Sequence, residues 1–110
     1  MILTGKAKED FENYVLNKEL GHDSEVLISV YNQESLFINY NNVKETLLNA
    51  LIIEWFDSVG IIITSDYFEL NKGFYSEILN ENFAIVKPIR QEALTEAIKK
   101  ANDIYNERFI

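Results

Sequence analysis

A long apolar stripe in the middle of the chain constrains the fold more than any other feature of the sequence. Its members recur at helical spacing and predict a helix with one broad face that must be buried. Asn42 and Glu45 have the spacing of a capping box and predict the helix start, and Gly60 predicts its end. Trp55 lies one turn after Leu51, which places it in the core rather than in a binding site. The stripe comprises Val43, Leu47, Leu48, Leu51, Ile52, Trp55, Phe56 and Val59.

The two ends of the chain show the same helical periodicity. The first helix is predicted to follow Thr4 and to end near Leu20, because Gly21 can adopt the left-handed conformation that terminates helices. The last helix follows Pro88, with acids early and bases late, as the helix dipole favours. The apolar face of the first helix is Ala7, Phe11, Tyr14 and Val15, and that of the last is Ala93, Leu94, Ala97, Ile98, Ala101, Ile104 and Tyr105.

Between the central and last helices, three runs rich in β-branched and aromatic residues predict strands. They cover residues 61–70, 74–79 and 83–86. Two tight turns are predicted between them, one at residues 71–73, which include Asn71 and Gly73, and one at residues 80–82, which include Asn80 and Asn82. Strands joined by such short turns form an antiparallel meander.

Residues 24–40 are harder to interpret. The runs 26–31 and 36–40 flank Asn32, Gln33 and Glu34, and a hairpin fits them best, with a loop and one short strand as the alternative. The chain is thus predicted to be one small α+β domain over residues 1–110. Its elements are an N-terminal helix, the candidate hairpin, a buried central helix, the three-stranded antiparallel meander and a C-terminal amphipathic helix.

The charge is distributed unevenly along the chain. Residues 1–86 hold fourteen acids and five bases, whereas residues 87–110 hold four acids and five bases, so the first part carries −9 and the second +1 of the net charge of −8. Such a surface repels nucleic acid and anionic lipid and attracts basic protein surfaces at low salt. We therefore expect a protein partner that is basic or binds nucleic acid, and no direct contact with nucleic acid.

Composition and local motifs argue against several chemistries. The absence of cysteine excludes disulfides, thiolate catalysis and cysteine-based metal sites. His22, Asp23 and Ser24 are adjacent in sequence, so they cannot converge as a hydrolase triad, whose members come from separate elements. No signal-peptide core or membrane-spanning stretch is present, which predicts a cytoplasmic protein without membrane contact.

Metal binding and nucleic-acid binding remain minor alternatives. Spacing alone does not bring the candidate magnesium ligands together, and no glycine-rich phosphate cradle accompanies them. The bases of the last segment are interleaved with acids and form no basic stripe. No cofactor is expected. The candidate magnesium ligands are Asp57, Asp66, Glu69 and Glu77.

Three stretches of the chain, within residues 3–14, 55–63 and 90–108, carry a resemblance. They include Leu-Thr-Gly-Lys-Ala-Lys-Glu-Asp-Phe from position 3, Trp-Phe-Asp-Ser-Val-Gly-Ile from position 55 and Glu-Ala-Leu-Thr-Glu-Ala-Ile-Lys-Lys-Ala-Asn-Asp-Ile-Tyr-Asn from position 92. Together they resemble a group of small, uncharacterised proteins encoded by bacteriophages and prophages. The segment of residues 21–40 is longer in this chain than the corresponding segment in that group. The resemblance implies a phage origin and therefore the host cell cytoplasm, and it carries no catalytic residues over to this chain.

The leading functional hypothesis is a non-enzymatic accessory protein of phage type that binds another protein. In its sharper form, carboxylates imitate phosphates and inhibit a host defence or nucleic-acid-handling factor. One alternative is a small Mg- or Mn-dependent hydrolase or nuclease. Another is a structural or assembly protein that acts as a homo-oligomer, including a homodimer formed through residues 26–40. The candidate partner-binding surface is Glu9, Asp10, Glu12, Glu34, Asp66, Glu69, Glu77 and Glu81.

Overall fold

Three helices and a three-stranded antiparallel sheet make up the residues that the structure describes, and the predicted α+β class is confirmed. The structure is a computed structural model and describes residues 2–17 and 38–110. In chain order the elements are α1 (Gly5–Asn17), α2 (Ile38–Ser58), β1 (Ile63–Phe68), a short 3-10 helix (Glu69–Asn71), β2 (Gly73–Ile78), β3 (Phe83–Lys87) and α3 (Arg90–Glu107).

The sheet is the predicted meander, with β2 in the centre. Ile63 of β1 lies opposite Ile78 of β2, which in turn lies opposite Phe83 of β3. Lys72 and Asn80 adopt positive φ values of 46° and 64° in the two connections, as tight turns require. β1 is shorter than the predicted run of residues 61–70 because the chain turns into the 3-10 helix after Phe68.

Alternation along the strands gives the sheet two different faces. The inner face carries the buried side chains of Ile63, Ser76 and Ile78 and is covered by α3, which contacts all three strands. The outer face is defined by the opposite set of side chains, most of which are exposed or half-buried. The outer face consists of Thr64, Asp66, Phe68, Tyr75, Glu77, Ala84 and Val86.

On its other side, α3 packs against α1 and α2 and closes the core. Ala93, Ala97 and Ala101, spaced one turn apart on α3, are fully buried, and such small side chains let neighbouring elements approach closely. Trp55 of α2 is 3% exposed and lies with its ring centroid 4.9 Å from that of Tyr105, so its predicted place in the core is confirmed. α3, rather than the more apolar α2, is therefore the element that packs against both other helices and all three strands.

Two asparagines of α3 cap the start of α1. The backbone N–H of Thr4 donates to Asn102 Oδ1 at 2.8 Å, and the N–H of Ala7 donates to Asn106 Oδ1 at 2.8 Å. Asn102 and Asn106 also donate to the Thr4 Oγ1 and carbonyl oxygen, at 3.0 and 2.9 Å. Gly5, with φ +59°, lies so close that a Cβ there would be 3.2 Å from Asn106 Nδ2. The first helix is thus capped by residues about a hundred positions away in sequence.

The helix boundaries correct two of the sequence predictions. Residues 38–40, predicted as the end of a strand, are the first residues of α2, so that part of the hairpin prediction is wrong. Asn42 consequently lies inside α2 and is not its N-cap. Extending an existing helix adds one hydrogen bond for each residue fixed, which outweighs a modest strand preference.

Other boundary predictions have different outcomes. The predicted end of α2 is confirmed, since Gly60 has φ +85° and the N–H of Ile61 donates to the Phe56 carbonyl at 2.9 Å. The remaining hairpin residues, the predicted helix end near Leu20 and His22 lie outside the described residues.

Candidate functional site

The structure divides the eight predicted partner-binding acids into two groups. Three of them lie on α1, which packs against α2 and α3, and four belong to the meander, whose inner face packs against α3. Glu34 lies outside the described residues. The α1 group is Glu9, Asp10 and Glu12, and the meander group is Asp66, Glu69, Glu77 and Glu81.

The α1 acids are engaged by their own surroundings. The Lys6 ammonium lies 3.1 Å from an Asp10 carboxylate oxygen and 3.6 Å from one of Glu9. Asp10 also accepts a hydrogen bond of 2.5 Å from the Tyr105 hydroxyl. Glu12 is half-buried, with one carboxylate oxygen enclosed by the protein. Asp10 and Glu12 are therefore less available to a partner than their sequence positions suggested, whereas the Glu9 side chain is 64% exposed.

Titration of the junction between α1 and α3 reflects these contacts. The hydrogen bond from Tyr105 holds the pKa of Asp10 below its ordinary value, and Lys6 acts in the same direction. Burial, followed by the hydrogen bond to Asp10, raises the pKa of Tyr105 to about 12. The hydrogen bond to Asp10 raises the pKa of Lys6. The Asp10 carboxylate and the neutral Tyr105 phenol thus stabilise each other in the folded protein.

The meander acids are spread along the full length of the sheet. Asp66 and Glu77 belong to the outer face, where Asp66 lies opposite Tyr75 and Glu77 lies opposite Thr64. Glu69 follows β1 at one end, and Glu81 occupies the connection at the other. A strand of six residues is about 20 Å long, so the four carboxylates sample the whole length of β2.

Two aromatic rings accompany the outer-face acids. The ring centroids of Phe68 and Tyr75 lie 6.4 Å apart, and Phe68 is 42% exposed. The Tyr75 hydroxyl donates a hydrogen bond of 2.8 Å to Glu77 Oε2, which raises the pKa of Tyr75. The sequence interpretation named the acids and missed the rings. Strict alternation would have paired Asp66 with Phe68 and Tyr75 with Glu77, but only the register of β1 against β2 places the two pairs on one face.

No family model, curated protein or solved structure matches this chain. The chemistry of the outer face must therefore be interpreted from its own residues.

The bases of the meander do not offset the outer-face acids. Lys87 pairs with Phe74 in the register, which places it on the inner face, where it lines a shallow groove with Gln91 and Glu92 of α3. Lys72 lies in the connection between β1 and β2. Among the described residues, the outer face thus carries two carboxylates and no basic side chain.

The candidate magnesium ligands do not form a cluster in the described part of the chain. Asp57 lies near the end of α2, whereas Asp66, Glu69 and Glu77 are distributed over the meander. Within residues 2–17 and 38–110, no three carboxylate or histidine side chains are grouped so that they could hold a metal ion. These acids are thus placed as separate surface charges.

None of the helices in the described ranges combines the length and apolar character that crossing a membrane requires.

Proposed function

We propose that this protein is a non-enzymatic accessory protein that binds a basic protein partner through the acidic outer side of its meander. The observation that carries this proposal is the composition of the outer face. There Asp66 and Glu77 lie beside the exposed ring of Phe68 and the half-buried ring of Tyr75, without a basic side chain among the described residues. Glu69 and Glu81 extend the same negative charge to both ends of the sheet.

A sheet is a suitable scaffold for binding a basic partner. Asp66 and Glu77 lie on paired strands and keep their spacing, so a complementary basic surface meets these two carboxylates without first ordering a loop. Opposite charges across an interface accelerate encounter and suppress unsuitable partners, and their effect falls as salt screens them. An acidic surface of this kind competes with nucleic acid for a basic binding channel.

The phage-type resemblance extends the proposal to a target class. We propose that the partner is a host defence or nucleic-acid-handling factor whose basic site the meander occupies. Compared with the initial eight-residue surface, the proposal now rests on the four meander acids, because the described α1 acids have partners or are partly enclosed.

The test is capture of host proteins by the tagged chain at low and high salt, followed by competition between the retained protein and nucleic acid. We expect a basic protein that is retained at low salt, lost at high salt and displaced from nucleic acid by this chain. A variant that neutralises the meander acids should lose that protein. The variant is Asp66→Asn, Glu69→Gln, Glu77→Gln and Glu81→Gln.

A matched control neutralises four exposed acids elsewhere and changes the net charge by the same amount. This control should retain the partner, because the meander acids are intact. Equal retention by both variants would show that the meander is not the binding surface and would overturn the proposal. The control substitutions are Asp57→Asn, Glu92→Gln, Asp103→Asn and Glu107→Gln.

A further inference from the structure

We infer that the outer face accepts an arginine-rich segment of the partner, seated across β1 and β2 against both the carboxylates and the rings. The inference rests on the proposed function, since it names the partner chemistry that the same surface recognises. It goes beyond negative charge alone, because charge does not distinguish arginine from lysine.

The arrangement of the four side chains favours a guanidinium group. Asp66 of β1 lies directly opposite Tyr75 of β2. Glu77, two residues further along β2, is the diagonal neighbour of Asp66, and such diagonal pairs are about 7–8 Å apart. Phe68 follows Asp66 by two residues and therefore belongs to the same face. A planar guanidinium can stack on a ring while donating two parallel hydrogen bonds to a carboxylate, whereas an ammonium group lacks that planar geometry.

The inner face of the same sheet already contains a guanidinium group over an aromatic ring. The guanidinium carbon of Arg90 lies 5.1 Å from the ring centroid of Phe74, the residue that precedes Tyr75 in β2. Among the lysine and arginine side chains that the structure describes, Lys6, Arg90 and Arg108 lie over rings, and those rings are Phe109, Phe74 and Tyr105 rather than Phe68 or Tyr75. The inner ring thus has an arginine from its own chain, and the outer rings present a comparable aromatic surface to an arginine from outside.

Charge argues against two other occupants of the face. A second copy placed face to face would bring Asp66 and Glu77 against carboxylates of the same kind, which is destabilising. Residues 18–37 carry four acids, Glu19, Asp23, Glu25 and Glu34, against the single base Lys18, so their sequence does not complement the face either. A cationic segment from another protein fits the charge.

The experiment follows the backbone amide NMR chemical shifts of the isotope-labelled protein as a short peptide is added. The peptide carries arginine at every second position. The same peptide with lysine in place of arginine is the matched probe of equal charge. We expect the arginine peptide to bind roughly threefold to tenfold more tightly. The largest amide shift changes should occur in β1 and β2.

Variants separate the rings from the charges. The double variant Phe68→Leu and Tyr75→Leu should lose the preference for arginine, whereas Tyr75→Phe keeps the ring and should retain it. Phe109→Leu removes a ring that is 54% exposed outside the sheet and should also retain the preference. Thermal unfolding establishes that each variant is folded. If the double variant does not fold, the peptide affinity ratio and shift map of the unchanged chain decide the result.

The outcomes distinguish this inference from the proposed function. Equal affinity for the two peptides, or shifts confined to other elements, would overturn the inference, while loss of the captured partner on neutralising the meander would still support the function. A preference for arginine that disappears with the rings supports the inference even if capture shows no dependence on the meander. Concentration-dependent self-association that shifts the same strands would identify a second copy as the occupant and would also overturn it.

Discussion

The same chemical pair, a carboxylate that accepts a hydrogen bond from a tyrosine, occurs in two regions of this molecule. At the junction of α1 and α3, Asp10 is bound by Tyr105, which is only 6% exposed. On the outer face of the sheet, Glu77 is bound by Tyr75, which is half-buried. The pairs differ in their surroundings far more than in their chemistry.

That difference separates contacts that stabilise the fold from contacts that shape a surface. Burial is the main cause of the raised pKa of Tyr105, whereas the hydrogen bond to Glu77 is the main cause for Tyr75. An interaction removed from water is screened less by solvent and salt. We therefore expect substitutions at the junction to change folding stability and equivalent substitutions on the outer face to change binding alone.

The largest contrast is expected between aromatic residues of the two regions. Trp55→Ala should destabilise the protein by about 3–5 kcal/mol, because it leaves a cavity beside Phe11, Phe56 and Tyr105. Phe68→Ala should cost about 1 kcal/mol or less, because Phe68 is 42% exposed and loses mainly its cross-strand contact with Tyr75. Urea unfolding of both variants measures the difference, and similar losses would remove the distinction between the regions.

The asparagine caps should produce the next largest effect. Asn102→Ala removes the acceptor for the Thr4 N–H and the donor to its hydroxyl, and should destabilise the protein by about 2–3 kcal/mol. The control is Asp103→Ala, one residue along on the exposed side of α3. Equal unfolding midpoints for the two variants would show that α1 does not depend on this cap.

The free energy of unfolding at alkaline pH should depend on the titration of Tyr105. Burial raises the pKa of Tyr105 in the folded state to about 12 from the ordinary tyrosine value of 10.0, so the folded protein holds the proton more tightly than the unfolded chain. This contribution is complete below pH 10 and is lost as pH rises towards 12, by an amount on the order of 2 kcal/mol. The measurement is the difference in unfolding free energy between the unchanged protein and Tyr105→Phe across that range. A constant difference would contradict the assignment.

At neutral pH, Tyr105→Phe itself should destabilise the protein by about 1–2 kcal/mol, because Asp10 loses a hydrogen bond at a largely buried site. Tyr75→Phe is the matched substitution on the outer face, and we expect its unfolding midpoint to equal that of the unchanged protein. Chemical denaturation at one pH compares the two. A larger loss of stability for Tyr75→Phe than for Tyr105→Phe would overturn the distinction between the two tyrosine–carboxylate pairs.

The smallest effect is expected for the outer-face charges. Asp66→Asn combined with Glu77→Gln should leave the unfolding free energy within about 0.5 kcal/mol, since neither carboxylate lies in the core. The same double variant should weaken peptide binding, measured by the titration described above. Strong destabilisation would assign these acids to the fold rather than to recognition.

Much of the secondary structure could be predicted from local patterns. The apolar stripes of α1, α2 and α3 and the three strands of the meander follow from periodicities that each segment carries within itself. Gly60 ended α2 as predicted, because the required positive φ is a local property of the residue. The start of α2 was mispredicted because residues 38–40 have side chains that suit a strand as well as a helix.

The candidate site was predicted only in part, for a related reason. Acidic residues can be counted along the sequence, but their availability depends on neighbours that are distant in the chain. Asp10 has its partner Tyr105 at the other end of the sequence, whereas Asp66 and Glu77 share a face with Phe68 and Tyr75 through strand register. From sequence position alone, all of these acids were predicted to be equally available to a partner.

The sequence by itself determined the class of the fold, the helices and strands that compose it, and the excess of negative charge before residue 87. Only the tertiary structure decided that α3 would pack against both other helices and all three strands, that Asn102 and Asn106 would cap α1, and that Asp66 and Phe68 would be exposed on the same face of the sheet. The physical reason is the range of the interactions. Periodicity, turn chemistry and net charge depend on residues close together in the chain or on simple sums, whereas packing, capping between helices and strand register join residues that only the folded chain brings together.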